Sequence, residues 1–156
     1  MTKPLVMRRK AGDNKYLHKD FHGALSCGIE YLHRHYGKKA VREYLDAFAS
    51  TYYMPLRRKV KKNGFKALKN YFTRVFRNEG GVAVFDQQKD SLVIDVKACP
   101  AICHMKSKRY PVSPLFCETT RIMNNAICHG TGIKARLVRF DTSKGTCRQI
   151  FSRRKS

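Results

Sequence analysis

The stretch Gly80–Pro100, GGVAVFDQQKDSLVIDVKACP, carries the information that decides the fold. Its glycine pair ends a helical half. Val82 to Phe85, rich in β-branched and aromatic residues, predicts a short strand. Gln88-Lys89-Asp90 reads as a turn, and Ser91 to Ala98 alternates as a second strand. Side chains on a strand point alternately to its two faces, so Leu92, Ile94, Val96 and Ala98 fall on one face and Val93, Asp95, Lys97 and Cys99 on the other.

Upstream the period changes from two to three and four. Leu17, Phe21, Ala24, Leu25, Ile29 and Leu32 form one apolar stripe, which predicts a helix over 16–36 with Gly37 as its stop. Lys38 to Tyr53 predicts a second helix, packed through Val41, Leu45, Phe48 and Ala49. Met54-Pro55 marks a break, a short basic helix runs through Val60, and Asn63-Gly64 is turn chemistry. Phe65 to Asn78 predicts a further helix, apolar at Leu68, Tyr71, Phe72, Val75 and Phe76. His18 and His22 share a helix face at a spacing that can present two imidazoles, but without the intervening Glu of a zinc protease. Cys27 on the same helix reads as a small buried hydrophobe.

Downstream, Cys99–Cys128 reads CPAICHMKSKRYPVSPLFCETTRIMNNAIC and holds four of the six cysteines. Cys99-Pro100 opens a helical turn. Ser113-Pro114 repeats the start signal, which predicts a helix from Pro114 to Cys128 with Ser113 as its N-cap. Ile133 to Phe140 and Thr146 to Phe151 then form a second hairpin. The expected architecture is α+β: a helical N-terminal half, then two β-hairpins forming an antiparallel sheet of about four strands with helices between them. Residues 1–13 read as a flexible basic arm and 14–156 as one domain.

The net charge is +22 over 156 residues, spread through MRRK, LRRKVKK, KSKR and SRRK. Such a chain attracts polyanions non-specifically, and the functional reading is RNA or DNA binding; the alternative is a solvated basic surface. No run of eighteen apolar residues exists, so no membrane partner is expected, and the absence of a secretory pattern makes a cytoplasmic location the expectation. Six cysteines in such a chain point to reduced thiols. No phosphate loop, dinucleotide fingerprint or RNP1-type aromatic motif is present.

The candidate chemistry lies between the second strand and the helix after it. Cys117 falls in the expected first helical turn, where unpaired N–H groups and the helix dipole favour a thiolate and so a nucleophile. Arg121, one turn on, is placed to hold a substrate carboxylate. Cys99, Asp95 and His104 supply a thiol, a carboxylate and an imidazole for Cys–His chemistry. Cys99, Cys103, His104 and Cys117 also include zinc-donor types, but without paired CxxC spacing, so no metal or other cofactor is assigned. Cys147 is either interior packing or a pocket wall opposite Cys117.

A strand ending in Cys99-Pro100, then Phe116-Cys117-Glu118, then Phe140-Asp141 and Gly145-Thr-Cys147-Arg-Gln-Ile-Phe151 resembles the L-2-amino-thiazoline-4-carboxylic acid hydrolase-like family. The layout is also similar to vinyl-reductase-type small-ligand-binding domains. The first resemblance implies hydrolysis of a carbon–nitrogen bond in a small carboxylated cyclic amidine. It implies that Cys117, Cys147, Cys99 and His104 surround the pocket, and leaves Glu118, Asp95 and His104 all open as the general acid or base. The alternatives are a non-catalytic small-ligand or metal sensor using the same cavity and a nucleic-acid-binding module.

Overall fold

The computed structural model describes residues 19–154. The basic arm expected at 1–13, and His18 of the histidine pair, lie outside the described residues. Four helices and four strands follow in chain order: α1 (Phe21–Tyr52), α2 (Met54–Glu79), β1 (Val82–Gln87), β2 (Ser91–Ala98), α3 (Pro100–Ser107), α4 (Glu118–Cys128), β3 (Ile133–Asp141) and β4 (Thr146–Arg153). The fold is α+β, with a helical N-terminal half and one antiparallel sheet in the order β1-β2-β4-β3. Both expected hairpins form, and β2 pairs with β4 to join them.

The breaks expected at Gly37 and Asn63-Gly64 are bends inside longer helices. Gly37 (φ 81°) interrupts α1 and Gly64 (φ 57°) interrupts α2, each in backbone territory that glycine enters without the clash a Cβ would bring. A stripe of apolar residues marks a helix face well, but polar anchors can rotate it. In the first half of α1 the buried positions are Gly23, Ser26 and Ile29, while Phe21 is exposed. Ser26 causes the rotation: its hydroxyl donates to Pro111 O at 2.9 Å and accepts the Ser113 N–H at 2.8 Å, tying α1 to the loop before α4. Cys27 is exposed, which corrects its reading as a buried hydrophobe.

The sheet buries one face. Leu92, Ile94 and Val96 of β2 and Gln149 and Phe151 of β4 point at the helices, with Leu92 opposite Phe151, Ile94 opposite Gln149 and Val96 opposite Cys147. Each fully buried apolar side chain here is worth roughly 1.5–3 kcal/mol against exposure. The buried residues form two clusters. The larger lies between α2, α4 and the sheet and includes Leu68, Phe72 and Phe151; the smaller lies between α1 and α3 and includes Ile29, Leu45 and Met105. Cys99 and Ile122 pack against both, so Cys99 stands at their seam.

Candidate functional site

Two strand ends and one helix start meet at that seam. Cys99 follows β2 as the extended residue preceding α3, Cys147 is the second residue of β4, and Cys117 precedes α4. The three sulfurs influence one another: both Cys147 and Cys99 oppose ionisation of Cys117, and Cys147 opposes that of Cys99. Three cysteines from segments up to 48 positions apart are thus near enough for each to bear on a neighbour's charge. Cys147, read as pocket wall or packing, packs against the larger core cluster, and its charge bears on Cys117.

The chemistry of Cys117 differs from the expectation. Ser113 accepts the Leu115 N–H at 3.2 Å, but the segment it caps is a tight turn, with Phe116 N bonded to Ser113 O and Glu118 N to Leu115 O. The helix starts at Glu118, four residues later than Pro114. Cys117 therefore sits at the cap position instead of inside the first turn. Burial pushes its thiol up to about 12, the neighbouring sulfurs add to the rise, and Arg121 opposes it. Cys99 and Cys147 are also raised, chiefly by burial. The helix-start stabilisation assigned to Cys117 falls to Cys99, where the backbone N–H groups of Ile102 and Ala101 partly offset burial. The resting site is a set of neutral thiols.

Around the sulfurs lies a polar frame. Gln149 donates to Cys147 Sγ at 3.5 Å and accepts the buried Asn124 Nδ2 at 2.8 Å. Glu118 is buried, held by Arg42 at 3.1 Å, with Arg121 at 3.8 Å and Lys38 at 4.0 Å. The Nε atom of Arg121 is buried and finds no hydrogen-bond partner among the described residues. A buried N–H without an acceptor costs roughly 1–3 kcal/mol.

Two of the residues expected at the site are directed elsewhere. Asp95 does not share a face with Cys99. It lies on the sheet face away from the helices and pairs with Arg148 at 3.3 Å, while Cys99 has left the strand and turned toward the core. His104 bonds Asp20 at 3.0 Å, and Tyr110 donates to the same carboxylate at 3.1 Å. That His104 bond, then the Tyr110 bond, lowers the Asp20 pKa. Neither residue is oriented by these contacts toward Cys117. His22 likewise bonds Glu79, at 3.2 Å. Among the described residues no three His, Cys, Asp or Glu side chains converge in a metal-holding group; Cys103 is exposed.

Asn124, Gln149, Arg42 and Lys38 were not among the candidates read from the sequence. Gln149 had a signal there: it occupies an inward position of β4 between Cys147 and Phe151, and a polar side chain in an inward register needs a buried partner. Arg42 and Lys38 lie on a helix remote in sequence from Glu118 and left no local trace.

Fold and site together define an α+β fold with three half-buried thiols near a guanidinium and a buried amide pair. No protein-family model matches the chain, and no curated protein matches it.

Proposed function

We propose that this chain is a hydrolase-like protein acting on a carbon–nitrogen bond of a small carboxylated cyclic amidine, such as an aminothiazoline carboxylate. The observation that supports this reading is the clustering of Cys99, Cys117 and Cys147, the three cysteines that the family resemblance assigns to one pocket. Arg121 anchors the substrate carboxylate through its unused Nε–H. Cys117 attacks as a neutral thiol. Sulfur bonds to the amidine carbon while the thiol proton passes to the ring nitrogen. The carbon–nitrogen bond then breaks, the ring nitrogen leaving as an amine with a second proton from the exocyclic amino group, which becomes an imine. Water adds to that carbon and displaces the Cys117 sulfur, which leaves as the thiol with a proton from the water. Glu118, whose charge bears on Cys117 and which pairs with Arg121, is the acid–base candidate.

The test is incubation of the purified protein with 2-aminothiazoline-4-carboxylate, followed by mass spectrometry for a product heavier by one water. Cys117→Ala is expected to lower turnover at least about 100-fold, the scale of losing a nucleophile's contribution. Full turnover by that variant would sink the thiol mechanism. Arg121→Gln is expected to raise KM with little change in kcat.

A second reading, a non-catalytic small-ligand-binding domain, draws on the raised thiols and the commitment of His104 to Asp20. It expects saturable binding of the same carboxylate, lost in Arg121→Gln, with no water added.

A further inference from the structure

The opposite end of the sheet carries a different surface. Two adjoining hollows, of about 630 and 420 Å³, meet at Ile133 where β3 begins. The bend of α2 at Gly64 borders the smaller, which is lined by Lys61, Lys62, Lys66, Lys89 and Arg153. His129, Lys134 and Arg154 line the larger. No Asp or Glu lines either hollow among the described residues. Arg153 is ion-paired, to Asp90 at 3.0 Å; the five lysines named and Arg154 form no ion pair among the described residues. They are exposed, so their charge is available to a partner.

We propose that this cationic cleft binds the sugar–phosphate backbone of single-stranded nucleic acid, without sequence preference. Three features carry the argument. The charge is of one sign along two connected concavities, which matches a chain of phosphates better than a single anion. The two hollows join at Ile133 into one basic track, which a flexible single strand follows more readily than a stiff duplex. The aromatic ring at the cleft, Phe65, is buried with Arg153 over it at 5.7 Å, so no exposed ring is supplied for stacking a base. The contacts on offer position a backbone and read no base edge. The cleft is separate from the thiol cluster, so this inference stands or falls independently of the proposed hydrolysis.

The experiment is fluorescence anisotropy of the full chain with labelled single-stranded RNA and DNA oligonucleotides of mixed sequence across a salt series. Wild-type protein is expected to bind both at about 0.15 M salt, with affinity falling linearly on a log–log plot. The combined variant Lys61→Gln, Lys62→Gln, Lys66→Gln is expected to lose at least ten-fold in affinity, and its salt slope to shrink by about 2, three phosphate contacts at about 0.7 each. Lys97→Gln, Arg136→Gln, Arg139→Gln removes the same charge from the sheet face away from the helices and is expected to bind nearly as wild type. In wild-type protein, bound RNA is expected to protect Lys61, Lys62 and Lys66 from an amine-reactive reagent. Equal loss in both triple variants, no wild-type binding at that salt, tighter binding of a duplex, or equal protection by phosphatidylserine vesicles would each overturn the proposal.

Discussion

The same two strands, β2 and β4, end in opposite chemistry. At one end Cys99 and Cys147 meet Cys117 beneath α3 and α4, and burial keeps all three thiols protonated. At the other, Ser91 pairs with Ser152 beside a lysine-rich hollow that no acid lines among the described residues. Eight residues of strand separate the two by roughly 25 Å. The inward alternation is the same throughout: Cys147, Gln149, Phe151. What differs is the cover. At the thiol end a helix begins immediately after β2 and another is tied to α1 through Ser26 and Glu118. At the cationic end α2 bends at Gly64 and leaves the strand ends open. Burial thus sets whether a titratable group is held neutral or carries its charge to a partner.

The largest effect expected comes from the residue that supports both ends. Phe151 is fully buried and packs on Phe72 at 5.7 Å between centroids. Phe151→Ala is expected to cost about 3–5 kcal/mol in urea unfolding. Next, Asn124→Leu removes the donor from Gln149 Oε1 and leaves that oxygen buried, costing roughly 1–3 kcal/mol. If the two ends are independent, this variant keeps its nucleic-acid affinity; a matching loss of binding would break the comparison. At the open end Lys62→Ala is expected to stay within about 0.5 kcal/mol.

The strands were legible because a period of two survives in a half-buried sheet, as at Leu92, Ile94 and Val96. The bends at Gly37 and Gly64 were legible because only glycine suits their backbone. The thiol cluster was partly legible. The family resemblance grouped the cysteines, but extending the alternation one residue too far put Cys99 on the face of Asp95, whereas the strand ends at Ala98. Cys117 was given a helix dipole because Ser113-Pro114 looks like a helix start, and a capped turn has the same local chemistry. Arg42 and Lys38 reach Glu118, and Asp20 reaches His104, from α1 or its N-cap, 76 to 84 residues away, a distance no local pattern spans. The basic cleft was hidden for the same reason: its lysines and arginines belong to runs that looked evenly spread, and only the fold gathers them.

The protonated thiols give the comparison a pH signature. Burial raises Cys117 and Cys128 from 9.0 to about 12 in the folded chain. Below 9 both folded and unfolded states hold these protons and the groups do not affect stability with pH. Between 9 and 12 the unfolded chain loses protons that the folded chain keeps, so stability falls as pH rises. The thermal midpoint of the wild type is expected to fall more steeply over that range than that of Cys117→Ala. Parallel curves would mean that folding does not change the affinity of the Cys117 thiol for its proton.

Salt gives a small effect and acts on the other end. With 33 basic and 11 acidic side chains, repulsion outweighs attraction over the surface, and Lys61, Lys62 and Lys66 add to it from one shared hollow. Raising salt from about 0.1 to about 1 M shortens the screening length from about 10 to about 3 Å. That weakens repulsion among the exposed lysines more than the contacts of buried Glu118, so salt stabilises the fold. The expected rise is under about 1 kcal/mol, the scale of exposed charge pairs. It should shrink in Lys61→Gln, Lys62→Gln, Lys66→Gln, where the repelling charges are gone, and persist in Cys117→Ala, which removes no charge. A rise that survives in the lysine variant would locate the repulsion elsewhere on the surface and remove the electrostatic contrast between the two ends of the sheet.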